Sequence, residues 1–110
     1  MTRHFLFAAA ILILLCPAGT ASAASFNCNY AKLPAEVAIC NSPRLQDMDQ
    51  QMASLYFRLT NQAPGWMSRE IKSEQRAWLG GRNACGYDQG CLRRAYRNRI
   101  NQLENWADQF

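Results

Sequence analysis

"QRAWLGGRNACGYDQGC", residues 75–91, sets a tryptophan, four glycines and two cysteines among arginines, asparagine, glutamine and aspartate. Gln75, Trp78, Leu79 and Arg82 recur at helical spacing, and Ile71 upstream and Cys85 downstream continue the same face. Gly86 suits the left-handed conformation that helix ends favour, and Asp88 suits the cap of a following helix. The stretch therefore reads as a helix end, an elbow and a helix start, with Cys85 and Cys91 on either side of the bend. Gly80-Gly81 is the anomaly, because each glycine inside a helix costs about 1 kcal/mol relative to alanine. Close approach of a neighbouring helix is the expected offset; a hinge, or backbone offered to a partner, is the alternative.

Outward from this elbow the pattern remains helical. A segment from about Asp88 to Ala107 carries Leu92, Ala95, Tyr96, Arg99, Ile100, Leu103 and Trp106 on one side, with Arg93, Arg94 and Arg97 facing mostly elsewhere. Upstream, Asn41-Ser42-Pro43 supplies a capping side chain and then a proline suited to a first helical turn. Leu45, Met48, Met52, Leu55, Tyr56 and Leu59 follow three or four apart, and Ala63-Pro64-Gly65 closes that segment. The next begins near Ser68. A short helix is expected from Pro34 to Cys40, and no stretch alternates as a strand would. The expected fold is all-α: a small disulfide-braced bundle of two to three main helices with a short N-terminal helical arm.

The first residues set the compartment. Arg3 and His4, an apolar run from Phe5 to Leu15, a break at Pro17-Ala18-Gly19 and the small residues Ala21-Ser22-Ala23 have the form of a secretory signal peptide over residues 1–23. One domain is expected over residues 24–110, exported to the periplasm or beyond, with no membrane span. Cys16 follows Leu14-Leu15 rather than the small residue that a lipidation site wants, so lipid anchoring is not expected. Loss of Arg3 takes the formal charge from +4 to +3, and the single histidine, His4, leaves as well. That mild positive balance, without any dense basic tract, does not suit nucleic-acid binding.

Cys28, Cys40, Cys85 and Cys91 remain, an even number in a short exported chain, and two disulfides are expected. The chain-entropy model gives about 2.4 kcal/mol for a Cys85–Cys91 loop and about 2.9 kcal/mol for Cys28–Cys40, and more for long-range pairings. Energy alone does not choose among them; the two local pairings are favoured because Cys85 and Cys91 fall on the two arms of one elbow. A metal site would want closer cysteine spacing or histidines, and no cofactor is expected.

The ordered set "SFNC" (25–28), "EVAIC" (36–40), "LQDMDQQMASLY" (45–56), "EQRAWLGGRNACG" (74–86) and "CLRRAYRNRINQL" (91–103) resembles the lysozyme inhibitor LprI-type domain family over essentially all of residues 24–110. The resemblance implies a small exported helical domain and, for some members, inhibition of lysozyme. Two departures lie in the opening stretch: Asn83 where relatives often carry an acid, and the paired Gly80-Gly81.

Catalysis has little to work with. Glu70 and Glu74 stand one turn apart and could mimic a glycosidase pair, but pairing with Arg69, Lys72 or Arg76 on a solvated face is the simpler expectation. Asp49 lies beside the apolar stripe and is expected to meet Arg82 or Arg99 between helices. With Tyr56, Gln75, Trp78 and Tyr96 these form a structural set. Binding has better material. A protein that blocks a sugar-cleaving enzyme must fill a cleft whose working groups are two carboxylates, which suits basic or hydrogen-bonding side chains on a rigid loop. Two loops are candidates: residues 60–67, with Asn61, Gln62 and Trp66, and the elbow 86–90, with Tyr87 and Gln89. Trp66 suits the core as well as the surface. The expected partner is a lysozyme or other muramidase, not a nucleic acid; a non-catalytic scaffold docking through Arg93, Arg94 and Arg97 is the alternative.

Overall fold

The computed structural model describes residues 24–110; the signal peptide expected over 1–23, Cys16 included, lies outside them. After a 3-10 turn, Cys28–Tyr30, come four α-helices: α1 Pro34–Cys40, α2 Pro43–Gln62, α3 Gly65–Ala84 and α4 Gln89–Ala107. Three of the four start where a side chain accepts from a backbone amide at the helix start; α3, which follows Pro64, has no such cap. In α1, Pro34 occupies the first turn and Glu36 Oε1 accepts from the Leu33 amide at 3.2 Å. In α2, the Ser42 hydroxyl accepts from Leu45 N at 3.2 Å, and in α4 the Asp88 carboxylate accepts from Cys91 N at 3.0 Å. These bonds fix helix starts that bare periodicity would leave loose.

The core is the sum of the stripes. Leu45, Met52 and Leu59 from α2, Ile71 from α3, and Leu92, Tyr96, Ile100 and Leu103 from α4 are all buried, with Ala35 and Ile39 of α1 beside them. α4 packs most extensively against α2 and also lies along α3, while α1 touches all three long helices. Two disulfides brace the ends. Cys28–Cys40 ties the N-terminal turn to the last residue of α1, and Cys85–Cys91 spans the α3–α4 elbow. Gly86 sits between them at φ +57°, the left-handed position that only a residue without a Cβ takes cheaply.

Two expectations fail here. Gly80 and Gly81 are exposed, and a Cβ built on either would meet nothing within 4 Å, so no helix approaches them closely. The 60–67 segment is not a loop either. Thr60 to Gln62 complete α2, α3 begins at Gly65, and only Ala63 and Pro64 lie between. The Ser68 hydroxyl donates to Thr60 O at 2.9 Å, closing this tight turn from inside.

Candidate functional site

Two polar clusters hold the long helices in register. In the first, the Tyr96 hydroxyl of α4 donates to Asp49 Oδ1 of α2 at 2.8 Å, and the Ser25 amide donates to Oδ2 of the same carboxylate. Asp49 and Tyr96 are fully buried. Arg82 approaches from α3, its Nη1 3.5 Å from the Tyr96 oxygen. Tyr96 thus stands between a carboxylate and a guanidinium. Burial pushes its phenol well above the ordinary range, the negative charge of Asp49 pushes it further, and Arg82 opposes both. Arg82 also lies over the rings of Phe26 (5.4 Å) and Trp78 (5.8 Å). Its Nε and Nη2 both donate to Asn83 Oδ1, at 3.1 and 2.9 Å, so the amide at this departure from the family pattern still provides an acceptor.

The second cluster centres on Arg99, which is fully buried. It donates to Gln75 Oε1 at 2.9 Å, to the carbonyl of Ile71 at 3.1 Å and to Glu74 Oε2 at 3.1 Å. Trp106 Nε1 donates to that same carboxylate oxygen at 2.9 Å. Gln75 completes the set with its amide 3.3 Å from Met52 Sδ, and Trp78 Nε1 donates to Ala95 O at 2.9 Å. Among the described residues no buried side-chain nitrogen or oxygen lacks a partner.

These contacts correct two expectations. Asp49 meets Tyr96 and the Ser25 amide rather than the guanidinium of Arg82 or Arg99. Glu74 is a cross-helix partner of Arg99, not part of a solvated face paired with Arg69, Lys72 or Arg76. No signal in the sequence pointed to the Glu74–Trp106 bond. Tyr56 is half-buried and sets its ring edge-on to Phe57, with centroids 5.1 Å apart.

The binding candidates divide into two ends of the molecule. Asn61, Gln62 and Trp66 are exposed at the α2–α3 turn, Trp66 at 59%. Tyr87, at 67%, and Gln89 are exposed at the elbow. Since α3 runs between them at 1.5 Å per residue, these ends stand about 30 Å apart and do not make one patch. Arg93 and Arg94 bring their guanidinium groups back towards the elbow. Arg94 Nη1 lies 3.4 Å, and Arg93 Nη2 3.8 Å, from where a Cβ would stand on Gly90. Arg97 is exposed further along α4. The elbow is therefore a bend locked by a disulfide, with an exposed aromatic ring at its tip and, at its base, the Arg93 and Arg94 guanidinium groups beside the Asp88 carboxylate.

Among the described residues no group of three or more His, Cys, Asp or Glu side chains gathers as a metal site, and no helix is long and apolar enough to cross a membrane. The fold and these clusters define a disulfide-braced all-helical domain whose interior polar groups are committed to holding it together. The model of the family Lysozyme inhibitor LprI matches residues 28–103. The chain belongs to the LprI family. No curated protein and no solved structure matches it.

Proposed function

We propose that this protein is an exported, non-catalytic inhibitor of lysozyme or another peptidoglycan-cleaving muramidase, acting in the periplasm or beyond it after removal of residues 1–23. It occludes the substrate cleft with the α3–α4 elbow. The observation that carries this reading is the exposed Tyr87 on a disulfide-closed bend, with the Arg93 and Arg94 guanidinium groups at its base. A ring on a rigid tip loses little conformational entropy on docking and can stack where sugar rings stack. The basic groups behind it meet the two carboxylates that such clefts use for catalysis. Family membership supports the same class of partner.

The protein's positive charge works against a strongly basic lysozyme at long range and slows their association. A less basic muramidase is therefore the better target. Clearing of cell-wall suspensions by a panel of muramidases, with and without the protein at tens of micromolar, tests the reading. Inhibition of at least one enzyme that Tyr87→Ala and Arg94→Ala each weaken about tenfold is expected. Absence of inhibition across the panel overturns it.

The outward face of α4, with Arg94 and Arg97 exposed, favours a second reading: a scaffold that docks envelope proteins without blocking an active site. Cross-linking in intact envelopes separates the two. Recovery of a cell-wall hydrolase supports the inhibitor, and recovery of a complex without one supports the scaffold.

A further inference from the structure

The bundle has an unequal fourth member. At 1.5 Å per residue, α2 and α3 each span about 30 Å, whereas α1 spans about 10 Å. α4 packs along the α2–α3 pair, and the short α1 touches all three long helices, while the N-terminal arm reaches α2 through the Ser25 amide and α3 through the Phe26 ring. What remains is a groove of about 630 Å³ between α2 and α3, with Phe26 and Glu36 in its wall where the arm and α1 stand.

The chemistry of this groove is not that of a solvated surface. Met52 and Gln75 are buried within it, Tyr56 and Leu79 are half-buried, and Phe57 stands 58% exposed. Lys72, Arg76, Leu79 and Asn83 recur along α3 at spacings of four, three and four, a single stripe facing the groove. Two exposed cations, Lys72 and Arg76, line it against one carboxylate, Glu36; Arg82, also in its wall, is buried and donates to Asn83 and Tyr96. Glu36 is already engaged, accepting from the amides of Leu33 at 3.2 Å and Lys32 at 3.4 Å at the start of α1. An apolar floor with an unbalanced basic rim, as long as several helical turns, is complementary to one kind of object: a helix with an apolar stripe flanked by acids.

We infer that the α2–α3 groove is a docking site for an acidic amphipathic helix of a partner protein, which completes the bundle in the position α1 leaves open. The site is distinct from the elbow, since none of Tyr87, Gln89, Arg93 and Arg94 lines it. It stands whether or not the elbow inhibits a muramidase. The occupant lays leucine-like side chains over Tyr56, Phe57 and Leu79 and sets its carboxylates against Lys72 and Arg76.

The test uses the oxidised chain beginning at residue 24 and two fluorescein-labelled 14-residue peptides. Both carry leucines at helical a and d positions; one has glutamates at the flanking positions, the other lysines. Fluorescence anisotropy at low salt is expected to show the glutamate peptide binding with a Kd of tens of micromolar and the lysine peptide about tenfold weaker or worse. Combined Lys72→Glu and Arg76→Glu should reverse that preference. Both side chains are exposed, so the variant keeps its fold, which circular dichroism verifies. Tyr87→Ala should leave peptide binding unchanged, and a failure at the elbow is thereby distinguished from a failure here. Equal binding of the two peptides, no saturation by about 200 μM, or indifference to the charge reversal would each overturn the inference.

Discussion

Tyr96 and Tyr87 flank Cys91, and the fold uses them in opposite ways. Tyr96 is fully buried, its hydroxyl held between Asp49 and Arg82; Tyr87 is two-thirds exposed on the elbow. The arginines divide likewise. Arg99 is enclosed and spends its donors on Gln75, Ile71 and Glu74, while Arg94 and Arg97 face solvent on the same helix. Residue type therefore says little about role in this chain. Side chains suited to binding are used inside to fix helix register, while others of the same types stand exposed at the elbow, on the groove rim and at the α2–α3 turn. In this chain the arginines in step with the core stripe, Arg82 and Arg99, are structure, and Arg94 and Arg97, off that stripe, are surface.

The contrast can be broken most forcefully at Arg99. Arg99→Ala leaves the Ile71 carbonyl and the Gln75 amide oxygen without their buried donor and empties the space the side chain filled. A loss of about 3 kcal/mol in urea unfolding is expected, whereas Arg97→Ala should stay within about 0.5 kcal/mol. Similar costs at the two positions would dissolve the distinction between interior and surface. The elbow's own rigidity comes next. Cys85→Ser with Cys91→Ser should lower stability by about 2.4 kcal/mol, the loop-closure entropy of that bridge. It should also weaken inhibition while leaving helix content unchanged by circular dichroism.

How much of this was legible in the sequence follows from the same distinction. The stripes of α2, α3 and α4 and the bounds of α1 were readable because spacing and caps are local facts, carried by Ser42, Pro43, Gly86 and Asp88. Which charge meets which was not, because periodicity leaves the rotation and register of one helix against another undetermined. Glu74 looked like a surface acid until α4 placed Arg99 and Trp106 over it. The Asp49 carboxylate found a tyrosine rather than an arginine for the same reason. The residues lining the groove were hidden also, although the shortness of α1 that leaves room for it was plain.

At Gly80-Gly81 the cost of glycine within a helix is not matched by any compensating contact. In the fold both are exposed with open space at the Cβ position. Gly80→Ala and Gly81→Ala should therefore each stabilise the protein by up to about 1 kcal/mol, measured by thermal melting. A destabilising outcome would mean that this turn of α3 bends in function, and would move it from the inert surface to the working surface.

A weaker effect is expected at high pH, at Tyr96 itself. Burial and the adjacent Asp49 raise its pKa, so the native state keeps the phenol proton where the unfolded chain gives it up. A group whose folded pKa is raised contributes stability that is whole below the unfolded value, about 10 for tyrosine, and declines as pH climbs above it. Half a pH unit above that value the loss from one such group is about 0.8 kcal/mol. In urea titrations between pH 8 and 10.5, Tyr96→Phe should start lower, because the bond to Asp49 is gone, and then fall less steeply than the parent protein. If the two curves run parallel, the phenol ionises as readily in the folded protein as in the unfolded chain. The Asp49–Tyr96–Arg82 cluster would then be wet and yielding, and the interior would resemble the elbow it has been set against.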